Sequence, residues 1–203
     1  ALKLDPKHLQ SFFLFSKILY KSGQIDLSLQ ILDTLEQKHP SWPEPLIAQA
    51  QILLAQKKQP KKTTNLVEKI TKIKKNNQTI ILLAIAYEQE NKTKQSYSTL
   101  INWLNNNPKD ITTRTALADL YLAKGSLNKA KDQYEIILQI APSLANVRNN
   151  LALILLKTNN HSKALVHAKK AYTDSPHNPH IMDTLGEILV HERQYQKAAL
   201  ILK

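Results

Sequence analysis

A chain of 203 residues with 28 lysines and arginines against 16 acids carries a formal net charge of +12, has no cysteine and holds three glycines. The missing cysteines exclude disulfides, thiol catalysis and thiolate metal sites, and no run approaches the roughly 18 apolar residues that a membrane-spanning helix needs. Gly23 and Gly125 share one repeat position and Gly186 falls in another, so none remains for a phosphate-binding loop.

Proline returns at one unchanging interval, at Pro6, Pro40, Pro108, Pro142 and Pro176, and Lys74 stands in the one slot of this series that lacks it. A fixed period of this length marks a repeat array, in which each unit buries its apolar stripe against its neighbours. The register predicts one array fragment over residues 1–203. Residues 1–8 read as the tail of a preceding repeat, complete repeats follow at 9–42, 43–76, 77–110, 111–144 and 145–178, and 179–203 reads as a truncated sixth. Ends of this kind are expected of a piece taken from a longer protein.

Each repeat opens on a helical stripe. Its columns are Phe15, Gln49, Leu83, Leu117, Leu151 and Leu185, then, four residues on, Leu19, Leu53, Tyr87, Tyr121, Leu155 and Leu189. One turn of helix separates the two columns. Between them runs a column of small residues, Ser16, Ala50, Ala84, Ala118, Ala152 and Gly186, where another helix can approach closely. The second half of each repeat has its own small column, Ser28, Lys62, Ser96, Ala130, Ala164 and Ala198, which predicts a second helix. Ser22-Gly23, Asn91, Gly125-Ser126 and Asn159-Asn160 separate the halves as helix-ending and helix-starting signals. Pro60 suits a first helical turn.

Two antiparallel helices in each period of about 34 residues, closed by a proline, resemble the tetratricopeptide repeat (TPR). The resemblance implies an all-α fold, a right-handed α-solenoid of antiparallel helix pairs whose first helices line a concave groove and whose second helices form the outer wall. It also implies a noncatalytic scaffold that binds a protein or peptide partner in the groove. No cofactor and no metal are expected. His177, His180 and Asp183 cluster before and within one helix start, but with no fourth ligand they read as surface residues.

Groove positions follow from this register. On the first repeat Phe13, Lys17 and Tyr20, with Lys21, could hold an apolar side chain and an acidic group, unless an upstream repeat covers them. Farther on the predicted groove is polar: Thr115 and Asp119, then Asn146, Asn149 and Asn150, then His180, Asp183 and Glu187. Side-chain amides of this kind can bond a peptide backbone. Arg114 and Arg148 share a column that is usually apolar in TPRs, so they either snorkel past the helix pair or reach toward a ligand. Tyr87, Trp103, Tyr121 and Tyr134 stand in apolar columns and are expected in the core. Neither the carboxylate clamp of chaperone-binding TPRs nor the asparagine ladder of the O-linked N-acetylglucosamine transferases is spelled out by the chain.

The charge is uneven. Residues 43–76 carry eight lysines against Glu44 and Glu68, which is +6 of the +12. Lys57, Lys58, Lys61, Lys62, Lys72 and Lys75 form a basic patch expected on the outer wall or its edge, and they supply the alternative function, binding of an anionic polymer or membrane surface. No aromatic residue interleaves with them to stack bases. Lys62 and Lys69 occupy columns that are small or apolar elsewhere, so the second helix of this repeat is expected to be shifted or loosely packed.

Asn149-Asn150-Leu151-Ala152, the alanine-rich stretch 164–171, Asn178-Pro179 and Asp183-Thr184-Leu185-Gly186 are similar to the C-terminal repeats of bacterial TPR lipoproteins associated with exosortase sorting and exopolysaccharide export. That similarity implies an envelope or periplasmic location, a lipid anchor outside this segment and a role in assembling secretion or polysaccharide machinery.

Overall fold

The computed structural model describes residues 8–203, so Pro6 and most of the expected tail at 1–8 lie outside the described residues. Twelve helices follow: α1 (Leu9–Lys21), α2 (Ile25–Lys38), α3 (Pro43–Gln56), α4 (Pro60–Ile73), α5 (Asn77–Gln89), α6 (Thr93–Asn106), α7 (Ile111–Ala123), α8 (Leu127–Ile140), α9 (Ala145–Lys157), α10 (His161–Asp174), α11 (Pro179–His191) and α12 (Tyr195–Ile201). No strand occurs among the described residues. The helices fall into two compact units, one ending at Asn106 and one spanning Asn107–Lys203.

Local chemistry starts these helices. Pro43, Pro60 and Pro179 occupy first-turn positions, where the missing N–H would have had no intrahelical partner. Asn76 and Thr79 form a reciprocal capping box at α5, and the Asp110 carboxylate accepts from the Thr113 amide at 3.2 Å to cap α7. The turns inside each pair share one device. Gly23, Lys57, Asn91, Gly125, Asn159 and Arg193 all have positive φ, between 53° and 81°, and each stands one full period after the last. A left-handed residue there ends the first helix and reverses the chain within three residues, so the two helices of a pair run antiparallel.

The small columns are where the paired helices touch. Ser16, Ala50, Ala118 and Ala152 are fully buried, as are Ser28, Ser96, Ala130 and Ala164. In the first pair the contact is explicit, because the Ser28 hydroxyl donates to the Ser16 carbonyl at 2.8 Å. Larger residues then close the core on either side. In the first unit Leu46, Ile47, Ala50 and Leu54 meet Val67 and Ile70 of α4 and Leu82, Leu83 and Ala86 of α5. In the second unit Tyr134 and Ile137 of α8, Leu151, Ile154 and Leu155 of α9 and Leu185 and Ile188 of α11 form one cluster. Each fully buried Leu or Ile contributes about 1.5–3 kcal/mol.

One expectation needs correction here. Phe15 is 46% exposed rather than core: its counterpart Leu83 is covered by α4 residues, whereas no described helix precedes α1. Of the aromatic residues expected inside, Tyr134 is fully buried and Tyr87, Trp103 and Tyr121 are half-buried.

The second repeat is shifted by one residue. Helix α3 runs one residue longer than the other first helices and α4 starts one residue late. The buried residues of α4 therefore include Thr63, Val67 and Ile70, one position later than Ser28, Leu32 and Leu35 of α2 in the repeat. Lys62 is exposed, and Lys69 points outward to an ion pair with Glu36 at 2.8 Å. Val67 and Ile70 have no exposed surface, so the repeat is shifted and not loose. A second positive φ, at Gln59, absorbs the extra residue. The following connection shrinks to Lys74, Lys75 and Asn76, and Lys74 itself becomes the C-cap, with φ −138° and its N–H bonded to the Ile70 carbonyl. Proline locks φ at roughly −65° and has no N–H, which is why the proline series breaks at this slot.

Candidate functional site

In the first unit α1, α2 and α3 enclose a concavity of about 160 Å³ lined by Ser16, Lys17, Tyr20, Lys21, Ser28, Leu32, Ala48, Gln51 and Ile52. The floor is apolar and small-sided, with Leu32 and Ile52 at or below 3% exposure. Two ammonium groups and a phenol stand at its rim. Lys17 and Tyr20 meet there, together with Lys21. Phe13 does not line this concavity: its ring makes an edge-on contact with Trp42 at 5.5 Å between centroids, beside Leu9, Phe12 and Leu35. Lys17 Nζ lies 4.9 Å from the Phe13 centroid, so Phe13 steadies the lysine. Ala48, Gln51 and Ile52 were missed by sequence reasoning, although they stand one period after Leu14, Lys17 and Ile18 and the period itself would have pointed to them.

The basic patch is exposed and divided. Lys57 and Lys58 lie in the turn before α4 and Lys61 and Lys62 in its first turn, while Lys72 and Lys75 lie about 15 Å away at its other end. Lys69 and Lys74 between and beside them are held by Glu36 and Glu44, each at 2.8 Å. Lys62 also acts on Asp33, whose carboxyl is raised by burial and partly pulled back by that ammonium.

The second unit holds a polar site on three helices. The buried Tyr134 hydroxyl of α8 is hydrogen-bonded to the Asp119 carboxylate of α7, and Asn150 Nδ2 of α9 donates to the same phenol oxygen at 3.3 Å. Burial first, and the bond to Asp119 second, push the Tyr134 phenol far above its ordinary value, so it stays protonated and is the donor to Asp119. Asp119 is exposed and Asn150 half-buried. The other predicted groove residues are dispersed. Thr115 turns its hydroxyl to the Ile111 carbonyl at 2.9 Å, and Asn146 Oδ1 accepts from Asn178 at 3.1 Å. His180, Asp183 and Glu187 are exposed on α11. Asn149 is the exception among these, only 5% exposed and with a buried Oδ1 that has no hydrogen-bond donor.

Arg114 and Arg148 do neither of the two things expected. Arg114 Nη2 donates to the Pro108 carbonyl at 2.7 Å and Nη1 to Gln133 at 2.8 Å, and Arg148 Nη2 bonds the Pro142 carbonyl. Both fold back onto the turn that precedes their own helix. Among the described residues no group of three or more His, Cys, Asp or Glu side chains is placed to hold a metal ion, and no helix is long and apolar enough to cross a membrane.

This arrangement of paired helices is the tetratricopeptide-repeat fold, an α-solenoid class. The chain is similar over 96% of its length to the solved structure of PilF from Pseudomonas aeruginosa, with a TM-score of 0.74 and 14% identity, covering 89% of that chain. It is similar over 90% of its length to YrrB, described as a TPR protein with an unusual peptide-binding site, with a TM-score of 0.59, 17% identity and 90% of that chain covered. In sequence, 120 residues, 59% of the chain, are 31% identical to the cellulose synthase operon protein C of Pseudomonas fluorescens (strain SBW25), and they span 9% of that protein's length. No family model matches the chain.

Proposed function

We propose that this chain is a noncatalytic scaffold that binds a segment of a partner protein on the first-helix face of its repeats. The observation that carries this reading is the concavity of Lys17, Tyr20, Lys21, Leu32, Ala48, Gln51 and Ile52. Its apolar floor takes an apolar side chain, and its two rim ammoniums take carboxylates flanking that side chain. A rigid helix pair presents these groups with little further ordering cost, which is what lets a short segment bind. Asn146, His180, Asp183 and Glu187, on first helices of the second unit, supply polar contacts of the same kind there. The identity shared with a cellulose synthase operon protein supports placing the scaffold in bacterial envelope or exopolysaccharide assembly.

The test is a titration of the protein with a fluorescent peptide carrying Leu between two Glu residues. Binding that drops about tenfold or more in Lys17→Glu/Lys21→Glu, with unchanged circular dichroism, supports the reading. Equal binding by both proteins overturns it.

A second reading rests on the exposed lysines at the start of α4, a helix with no acid in its first turn. These would contact an anionic polymer or membrane surface. Such binding falls steeply with salt through counterion release and would be lost on replacing Lys57, Lys58, Lys61 and Lys62, with Lys17 and Lys21 left intact.

A further inference from the structure

The concavity of the first unit and the polar site of the second are built on the same repeat columns. Lys17, Leu32 and Ala48 lie three repeats before Asp119, Tyr134 and Asn150 respectively. The first set lines a concavity with an apolar floor and a cationic rim. The second set replaces the floor leucine with a phenol, the alanine with an amide and the lysine with a carboxylate. The position in the repeat is kept along the chain and its polarity is reversed.

The hydrogen bonds of the second set have only one consistent direction. An ionised carboxylate can only accept, so the Tyr134 O–H is spent on Asp119 Oδ1. The phenol oxygen then accepts from Asn150 Nδ2, which fixes the flip of that amide. What remains for a ligand is Asp119 Oδ2 and Asn150 Oδ1, both acceptors, with the second N–H of the Asn150 amide beside them. Among the described residues Asp119 is in no ion pair, and the two arginines on α7 and α9 are turned away to the carbonyls of Pro108 and Pro142. A site whose one charged group is a carboxylate, with an amide oxygen beside it, calls for a cationic ligand rich in donors.

Resting on the scaffold reading above, we propose that Asp119 and Asn150 bind an arginine side chain of the partner segment, with Tyr134 as the residue that positions both. The guanidinium is planar and carries its N–H donors along its edges, so it can bond a carboxylate oxygen and an amide oxygen together. Tyr134 has no exposed surface and touches no ligand. Its hydroxyl holds the two acceptors in place so that binding does not have to order them.

The experiment is a nuclear magnetic resonance titration with two capped alanine-based peptides, identical except that one carries arginine and the other citrulline, its neutral isostere. Saturable shifts at the Asp119 and Asn150 backbone amides and the Asn150 side-chain amide are expected with arginine. Citrulline and the Asp119→Asn variant are expected to weaken binding about tenfold or more, the loss of one charge-assisted bond. Tyr134→Phe should weaken it too while preserving the fold, and Asn150→Ala serves where that core change unfolds the protein. Equal shifts with arginine and citrulline, or none with either, overturn the proposal. The Leu-Glu peptide is titrated in the same samples: shifts at Lys17 and Tyr20 with none at Asp119 when arginine is added would sink this inference and leave the scaffold reading standing.

Discussion

Arg114 donates to the carbonyl of Pro108 at 2.7 Å, and one repeat later Arg148 makes the same bond to Pro142. The turn between one helix pair and the next leaves carbonyls that the helices cannot satisfy, and a proline there supplies no compensating donor. The arginine, in a column where the second repeat has the buried Leu46, reaches back over one turn and fills that need. Burial lowers the Arg114 pKa and Asp110 partly restores it, leaving the group charged.

Arg114→Ala should therefore destabilise the fold by about 1.5–3 kcal/mol, the range for hydrogen bonds to a charged group. Denaturant unfolding checks this. A change below about 0.5 kcal/mol, the scatter of ordinary surface substitutions, would mean the turn does not depend on the arginine.

Lys74→Pro restores the proline period and should nevertheless weaken the protein. The residue sits at φ −138° and its N–H bonds Ile70, both incompatible with proline, so a loss of more than about 1 kcal/mol is expected. Lys57→Gly should act in the opposite direction, since it relieves a left-handed lysine at φ 53° where the first and fourth repeats use glycine. Thermal melts of the two variants should move to opposite sides of the parent.

Ala118 and Ala152 have no exposed surface and stand where two helices approach. Leucine at either should overpack the crossing and cost about 1–3 kcal/mol. Unchanged melting temperatures in both variants would refute the close-contact assignment of this column.

Two phenols should titrate late. Tyr87 is pushed up to about 12, first by burial and then by its bond to Glu68, and Tyr134 lies higher still. A folded pKa above the unfolded one favours the protonated native state, so this stability is present below pH of about 10 and is lost as the pH rises through the folded values. Ultraviolet titration should show two of the seven tyrosines ionising only with unfolding. Tyr87→Phe should remove one of them.

His167 works in the acid range. Burial, and then Arg148, lower its pKa, so the native state holds it neutral while the unfolded chain binds a proton below about pH 6.5. Stability should fall as the pH drops from there toward the folded value. His167→Gln should flatten that part of the pH profile, read as melting temperature against pH.

The repeat period by itself determined the helix pairs, their small contact columns and the left-handed turn position, because close packing admits only small residues at a crossing and only a positive φ reverses the chain in three residues. It also pointed to Lys17 and Tyr20, and to Asp119 and Asn150, as members of one repeating face. Tertiary structure alone decided what those side chains do. A column records a residue's place in its own repeat and not which atoms of the neighbouring helices reach it. Hence Asn149, one residue from Asn150, is buried. Phe13 packs against Trp42, and Arg114 serves a turn. Tyr134 looked like core, and it is, but its hydroxyl meets Asp119 and Asn150 only because α7, α8 and α9 converge on it. Its ring is buried by packing, and the two acceptors it holds are aligned by hydrogen bonds between residues 15 and 16 positions apart in the chain.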